Sequence, residues 1–377
     1  MLAKRPPMGW NTWNTFANKI NEALVKESAD ALVELGYKDA GYEYIVIDDC
    51  WSLMERDENG RLVADPEKFP NGMKAVADYV HSKGLKFGMY SCAGVRTCAG
   101  YPSSFDHEYE DARTFAEWGV DFLKYDFCNF PNYANNKNRY LTMSMALKST
   151  GRDIIFSGCN WGRGEPWNWM RSIGAHMYRS THDIFDSYES MVDILKSQIP
   201  NLNANAPGCF NDLDMLTVGM HGNGHVSRNI EVHTTQTEYE TQFAFWCLAG
   251  SPLMMGCDIR NLDEENRKLL QHKELIRINQ DAECRPAYQA NGSTKDFPIF
   301  IRFLENNEFA FGFFNLKDAD RVLECPFPDI GVPYHSNVGV ELTDVMTGEN
   351  LGIKRDDLRV NVKAHSFRMF RAKLVNL

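Results

Sequence analysis

Between residues 8 and 281 short apolar runs alternate with longer amphipathic stretches, and this alternation constrains the fold more than any other property of the chain. The runs fall at 8–13, 44–49, 85–90, 122–127, 154–159, 176–181, 209–216 and 252–257. Each is short enough for a buried strand. The stretches between them read as helices beginning near Asn21, Gly72, Asp106, Asn136, Glu165, Asp186, Thr237 and Asp263; Thr237 and Glu240 have capping-box spacing. In the first, Leu24, Ser28, Leu32 and Leu35 share one face. Six stretches close on a glycine, at Gly36, Gly84, Gly119, Gly151, Gly174 and Gly250, where a left-handed residue would release the chain into the next strand. Strands regularly separated by helices make a parallel sheet, and eight such units are the count of an α/β (β/α)8 TIM barrel.

After Asp281 the pattern changes. Short alternating or aromatic runs at 297–303, 309–314, 322–327, 338–342, 358–362 and 367–370 are separated by turn signals such as Asn291-Gly292 and Thr347-Gly348. They predict a C-terminal antiparallel β-sandwich. The expected division is a barrel over 1–285 and a sandwich over 286–377.

Composition narrows the partners. Apolar residues make up 44% of the chain, and no apolar run approaches the roughly 20 residues of a membrane span. The net charge of −11 opposes a phosphate backbone, so neither membrane nor nucleic acid is expected as a partner. The first residues, Met1 to Pro7, contain no apolar signal core, which makes the cytoplasm the default location and secretion after signal removal the alternative. Ten cysteines without C-x-x-C spacing suggest mostly buried thiols. A homo-oligomer is compatible with all of this.

In a barrel of this kind, chemistry sits at the C-terminal ends of the strands. Those positions here are polar and aromatic almost without exception: Trp13; Asp48, Asp49 and Trp51; Tyr90; Lys124 and Asp126; Asn160 and Trp161; Arg179 and Asp183; Asp212 and Asp214; Met255 and Asp258. One such carboxylate read alone is as easily a cap or an ion-pair partner. Several around one mouth push their pKa values apart, which is how acid and base roles arise. Two carboxylates flanking a bond are what glycoside hydrolysis requires, and rings such as Trp13, Trp51 and Trp161 offer faces to sugar C–H groups. His221 and His225, in a glycine-rich loop, read as solvated rather than as metal ligands, and no serine-hydrolase, zinc-protease or nucleotide-binding motif occurs.

The segments MGWNTW at 8–13, IDDCW at 47–51, YVHSKGLK at 79–86, KYD at 124–126, FNDLDML at 210–216 and INQD at 278–281 resemble, in order, the motifs of glycoside hydrolase family 27, the α-galactosidases and α-N-acetylgalactosaminidases. The resemblance implies a retaining exo-hydrolase of terminal α-galactosides, needing neither cofactor nor metal. By their motif positions Asp126 would be the nucleophile and Asp183 the acid and base, with carboxyl groups about 5–5.5 Å apart. Asp48 and Asp49 would hold the 4- and 6-hydroxyls, and Lys124 and Arg179 the 3- and 2-hydroxyls. Trp13 and Tyr90 would shape the galactose pocket, with Asp214 in the binding set. Cys98 and Cys128 match a pair that forms a disulfide in related proteins. The segment Cys159-Asn160-Trp161 would face the 2-substituent, and the bulk of Trp161 favours galactose over N-acetylgalactosamine.

Departures from the family pattern are Asn160 where relatives often carry Glu, His182 beside the acid, Phe210 and Leu213 for the commoner Trp and Pro, and a long segment at 220–235 expected to add a wall. The rival readings are an α-N-acetylgalactosaminidase, a β-L-arabinopyranosidase and a galactose-binding barrel without turnover.

Overall fold

The computed structural model describes residues 2–377. Eight parallel strands run β1 Met8–Asn11, β2 Tyr44–Val46, β3 Lys86–Cys92, β4 Phe122–Asp126, β5 Ile155–Cys159, β6 Met177–Arg179, β7 Phe210–Asp212 and β8 Leu253–Met255. They are hydrogen-bonded in the order β7-β6-β5-β4-β3-β2-β1-β8. A parallel bridge between Leu216 and Met255 joins the two ends, with Leu216 N donating to Met254 O at 2.8 Å and Gly256 N to Leu216 O at 3.0 Å. The sheet is thereby a barrel. Except for β3, the strands are shorter than the apolar runs that announced them, and the leftover residues form the mouth: Asp48 and Asp49 lie just beyond β2.

The outer helices are α1 Glu22–Glu34, α2 Gly72–Ser82, α3 Glu108–Trp118, α4 Asn136–Ser149, α5 Tyr188–Gln198, α6 Gln236–Ala249, α7 Glu264–Leu270 and α8 Lys273–Asn279. Asn21 caps α1 by accepting from Leu24 N, and α1 buries Leu24, Ser28 and Leu32 as its periodicity requires. All six helix-ending glycines have positive φ, between 68° and 89°. The capping box on α6 is formed by Thr235 and Glu238, two residues before the expected pair; three threonines at 234, 235 and 237 made the register ambiguous. The helix expected from Glu165 is absent. Two 3-10 turns, Pro166–Asn168 and Arg171–Ile173, stand there, because Gly162, Gly164 and Glu165 all adopt left-handed backbone that a right-handed helix cannot propagate through.

The C-terminal strands are β9 Tyr288–Gln289, β10 Ile299–Phe303, β11 Glu308–Phe314, β12 Arg321–Pro326, β13 Val338–Asp344, β14 Asn350–Lys354, β15 Asp357–Val362 and β16 Phe367–Asn376. Six form one antiparallel sheet, β14-β13-β16-β11-β10-β9, and β12 pairs with β15 beneath it. Phe309, Phe311, Phe313, Phe327, Leu342 and Phe370 fill the space between. Polar, exposed β14 carried no apolar pattern by which to foresee it. The sandwich docks on α6: Phe300 and Phe314 pack on Phe245, and buried Arg302 donates to the carbonyls of Cys247 and Leu248.

Candidate active site

The strand ends open on one cavity of about 350 Å3. Trp13, Asp48, Asp49, Tyr90, Cys98, Lys124, Asp126, Trp161, Arg179, Asp183 and Asp214 all line it, as the sequence led us to expect.

Cys159 and Asn160 do not. Cys159 ends β5 with its thiol inside the barrel, on a separate small cavity shared with Ser157 and Asp212, and burial holds that thiol protonated. Asn160 is fully buried. Its Nδ2 donates to Arg163 O at 2.7 Å and its backbone carbonyl accepts from Arg163 N at 3.0 Å, so it builds the turn that carries Trp161. Trp51 is a core residue as well, edge-on to Trp118, with Nε1 donating to Tyr90 O at 3.0 Å.

The β1–β4 side of the mouth is a closed network. Asp48 accepts from Lys124 Nζ and Asn11 Nδ2, each at 2.8 Å, and from Asp49 N at 2.9 Å. Asp49 accepts from Cys50 N at 2.7 Å and Ala99 N at 2.9 Å; burial nevertheless pushes its carboxyl pKa up. Cys98 and Cys128 form a disulfide with Cα atoms 4.9 Å apart. Tyr90 donates its hydroxyl hydrogen to Cys98 Sγ at 3.3 Å. Gly94 lets the loop after β3 lie against the loop after β4, since a Cβ there would meet Cys128 O at 1.9 Å. The eight remaining cysteines are buried thiols. The sulfurs of Cys98 and Cys128 lie with a carboxylate oxygen of Asp126 within 4.8 Å of one another, but bonded sulfurs are not thiolates, so this group makes no metal centre.

Asp126, the last residue of β4, accepts from Phe127 N at 2.8 Å and faces Lys124 Nζ at 4.0 Å. Burial raises its pKa to about 6 against the pull of Lys124, and the charges of Asp48 and Asp183 add to the rise. On the β6–β7 side, Arg179 donates to Asp183 at 2.6 Å and reaches Asp214 at 2.8 Å. Partial desolvation within the cavity acts to raise the Asp183 pKa, but Arg179, Lys124 and His182 together hold it below the usual carboxylate range. Asp214 moves the other way, raised chiefly by burial. Its backbone is left-handed at φ 81°, which turns its carboxylate to accept from Ile184 N at 2.7 Å and Met215 N at 2.7 Å.

Six further residues line the cavity: Asn14, Cys128, Phe185, Met215, His225 and Val226. His225 and Val226 come from the 220–235 segment, which thus forms the wall its length suggested. His225 stands edge-on to Trp13 at 5.4 Å, and burial lowers its pKa, which favours the neutral ring. Buried Asp186 anchors the segment by accepting from Gly222 N, Ser227 Oγ and Tyr239 Oη. Asn11 supports the site from beneath; the only signal for it was a polar residue inside an apolar run.

Two family profiles match the chain, one described as Alpha galactosidase A over residues 5–281 and one as Alpha galactosidase C-terminal beta sandwich domain over 294–372. The α-galactosidase of Cyamopsis tetragonoloba is 40% identical over 370 residues, covering 98% of this chain and 86% of the relative. The crystal structure of α-galactosidase I from Mortierella vinacea superposes with a TM-score of 0.90 at 32% identity, covering 98% of this chain and 97% of the other. The chain belongs to the α-galactosidase family, glycoside hydrolase family 27. Its activity is that of an α-galactosidase. An α-galactosidase of Saccharomyces cerevisiae, solved with raffinose, has a TM-score of 0.88 and 29% identity over 99% of this chain and 98% of that one.

Proposed function

We propose that the enzyme releases terminal α-linked galactose by double displacement with retention, with Asp126 as nucleophile and Asp183 as acid and base. One observation carries this reading: Asp126 and Asp183 line the same cavity from different strands, with the hydroxyl-binding groups Asp48, Asp49, Lys124 and Arg179 around them. The Asp126 carboxylate attacks the anomeric carbon while the bond to the leaving oxygen breaks and Asp183 passes that oxygen its proton. Asp183 then takes a proton from water, which displaces Asp126 and frees galactose with its original configuration.

A single proton shared by the two carboxyl groups would reside on Asp126 rather than on the acid, because Asp126 is raised to about 6 and Asp183 is lowered. Arg179 is the lever. Its guanidinium holds Asp183 ionised, and a sugar 2-hydroxyl that takes one of its donors frees Asp183 to accept a proton, while Lys124 stays beside Asp126 to favour its charge. Trp161 lines the cavity, and its motif position would set it against the 2-position, which supports a free hydroxyl there rather than an N-acetyl group. The Cys98–Cys128 bridge supports an oxidising compartment over the cytoplasm.

Proton NMR of the first product from p-nitrophenyl α-galactoside tests the mechanism. We expect α-galactose to appear first and mutarotate later; β-galactose appearing first would overturn the assignment of both aspartates.

A further inference from the structure

Trp161 is a wall with two sides. One closes the catalytic cavity, and the other belongs to a separate groove of about 490 Å3 beside it. This groove is built of rings and donors. Phe127 and Phe130 are stacked at 4.3 Å, and Trp161 meets Phe127 edge-on at 6.1 Å. The Arg163 guanidinium lies over Trp161 at 5.4 Å and over Phe127 at 5.9 Å, resting on rings rather than on a carboxylate. Asn129 and Asn136 supply amides at the rim, and Asn136 Oδ1 is shielded from solvent without a hydrogen-bond partner.

Trp161 has φ +56°, a left-handed backbone that strains a bulky residue. The Asn160–Arg163 turn holds it there, with Asn136 Nδ2 also donating to Arg163 O at 3.2 Å. The same turn is fastened to the strand that leads to Asp183: Gly162 N donates to Arg179 O at 3.4 Å, and a Cβ on Gly162 would meet Ser180 O at 2.6 Å. The groove thus shares Trp161 with the catalytic cavity, and the turn that carries Trp161 is tied to the end of the strand from which the chain runs on to Asp183.

We propose that this groove is the subsite for the leaving group of an oligosaccharide substrate, taking the neutral hexose units to which the galactose is attached. The proposal rests on the reading of Asp183 as the acid that faces the leaving group. Ring faces suit sugar C–H groups, and the guanidinium and amides suit hydroxyls. No acidic residue lines the groove, but the adjoining cavity holds five carboxylates, Asp48, Asp49, Asp126, Asp183 and Asp214, against the cations Lys124 and Arg179. That excess of negative charge favours a neutral chain over an anionic one.

Two substrates separate the subsite from the catalytic reading. Raffinose carries two sugars beyond its galactose, whereas p-nitrophenyl α-galactoside carries none. We expect Phe130→Ala and Arg163→Ala each to raise KM for raffinose about three- to tenfold, a ring contact being worth about that much. Their kcat/KM on the aryl galactoside should stay within about twofold of the parent's, and Phe130→Tyr should restore the raffinose KM. Equal losses on both substrates, or no loss on raffinose, would overturn the subsite. A parent enzyme inactive on the aryl galactoside would instead overturn the catalytic reading.

Discussion

The two sides of the barrel mouth are built to different standards. On the β1–β4 side Asp48 and Asp49 are almost wholly buried and each accepts at least two hydrogen bonds, most of them from backbone N–H groups and Asn11; only Lys124 also faces a second carboxylate, Asp126 at 4.0 Å. On the β6–β7 side one guanidinium serves both Asp214 and Asp183, and the Asp183 side chain remains 64% exposed. The first side is finished before substrate arrives. The second has a donor to give away and an acid still to be protonated. Binding and bond-breaking thus draw on different physical states of the same cavity: preorganised hydrogen bonds cost nothing at the moment of reaction, while a shared guanidinium lets substrate change the protonation of its neighbour.

The largest effect should come from Asp126, which belongs to the finished side but reacts. Asp126→Asn should lower kcat by about 10⁴-fold or more, the scale of losing a nucleophile, with galactose affinity by calorimetry nearly unchanged. A large loss of affinity would mean that Asp126 helps to hold the network together and that the two sides are less separate than argued. Asp183→Asn comes next. It should cost about 10²–10⁴-fold on raffinose, where the leaving group needs a proton, and far less on p-nitrophenyl α-galactoside, where it does not. Equal losses would remove Asp183 from the acid role.

The disulfide tests what keeps the finished side finished. It joins residues 30 apart, and Cys98 sits next to Ala99, whose N–H holds Asp49. Replacing both Cys98 and Cys128 by Ser should lower stability in urea titration by about 3–4 kcal/mol, the chain-entropy expectation for a loop of that length. It should also raise KM for galactosides more than it lowers kcat. A variant with parental KM would show that Asp49 is held without the bridge.

How much of this could be read from the residues depends on the range of the interaction involved. The barrel was legible because burial on a local period and glycine stops are written within each unit. The carboxylates were legible because charge directly after an apolar run has few explanations. The missing helix after β5 had local signals too, Gly162 and Gly164 before Pro166, but the prediction gave them less weight than the overall repeat. Cys159 and Asn160 were placed in the cavity by position in a motif. Which way a strand-end residue faces depends on strand tilt, and Asn160 proved to brace the turn. Trp51 and His225 were misjudged for the same reason: a tryptophan beside two aspartates was core, and a histidine in a glycine-rich loop was wall. Only packing across the barrel, of Trp118 on one and Trp13 on the other, decides such cases.

The smallest effect is a pH dependence, and it bears most directly on the contrast between the two sides. With Asp183 held low by Arg179 and Asp126 raised by burial to about 6, the pair binds one proton between those two values, and that proton resides mainly on Asp126. Raffinose needs the pair to carry this proton, since a small fraction of it on Asp183 is the reactive form. Its kcat/KM should therefore fall about tenfold per pH unit above 6. The aryl galactoside needs only ionised Asp126, so its kcat/KM should rise as pH increases through 6 and then level off. The ratio of the two activities should drop accordingly between pH 6 and 7. Asp183→Asn removes a negative neighbour that helps to raise Asp126, so the rising limb for the aryl substrate should move below 6. A limb that stays in place would mean that Asp183 has no part in setting the Asp126 pKa and that the two carboxyl groups do not exchange influence across the cavity.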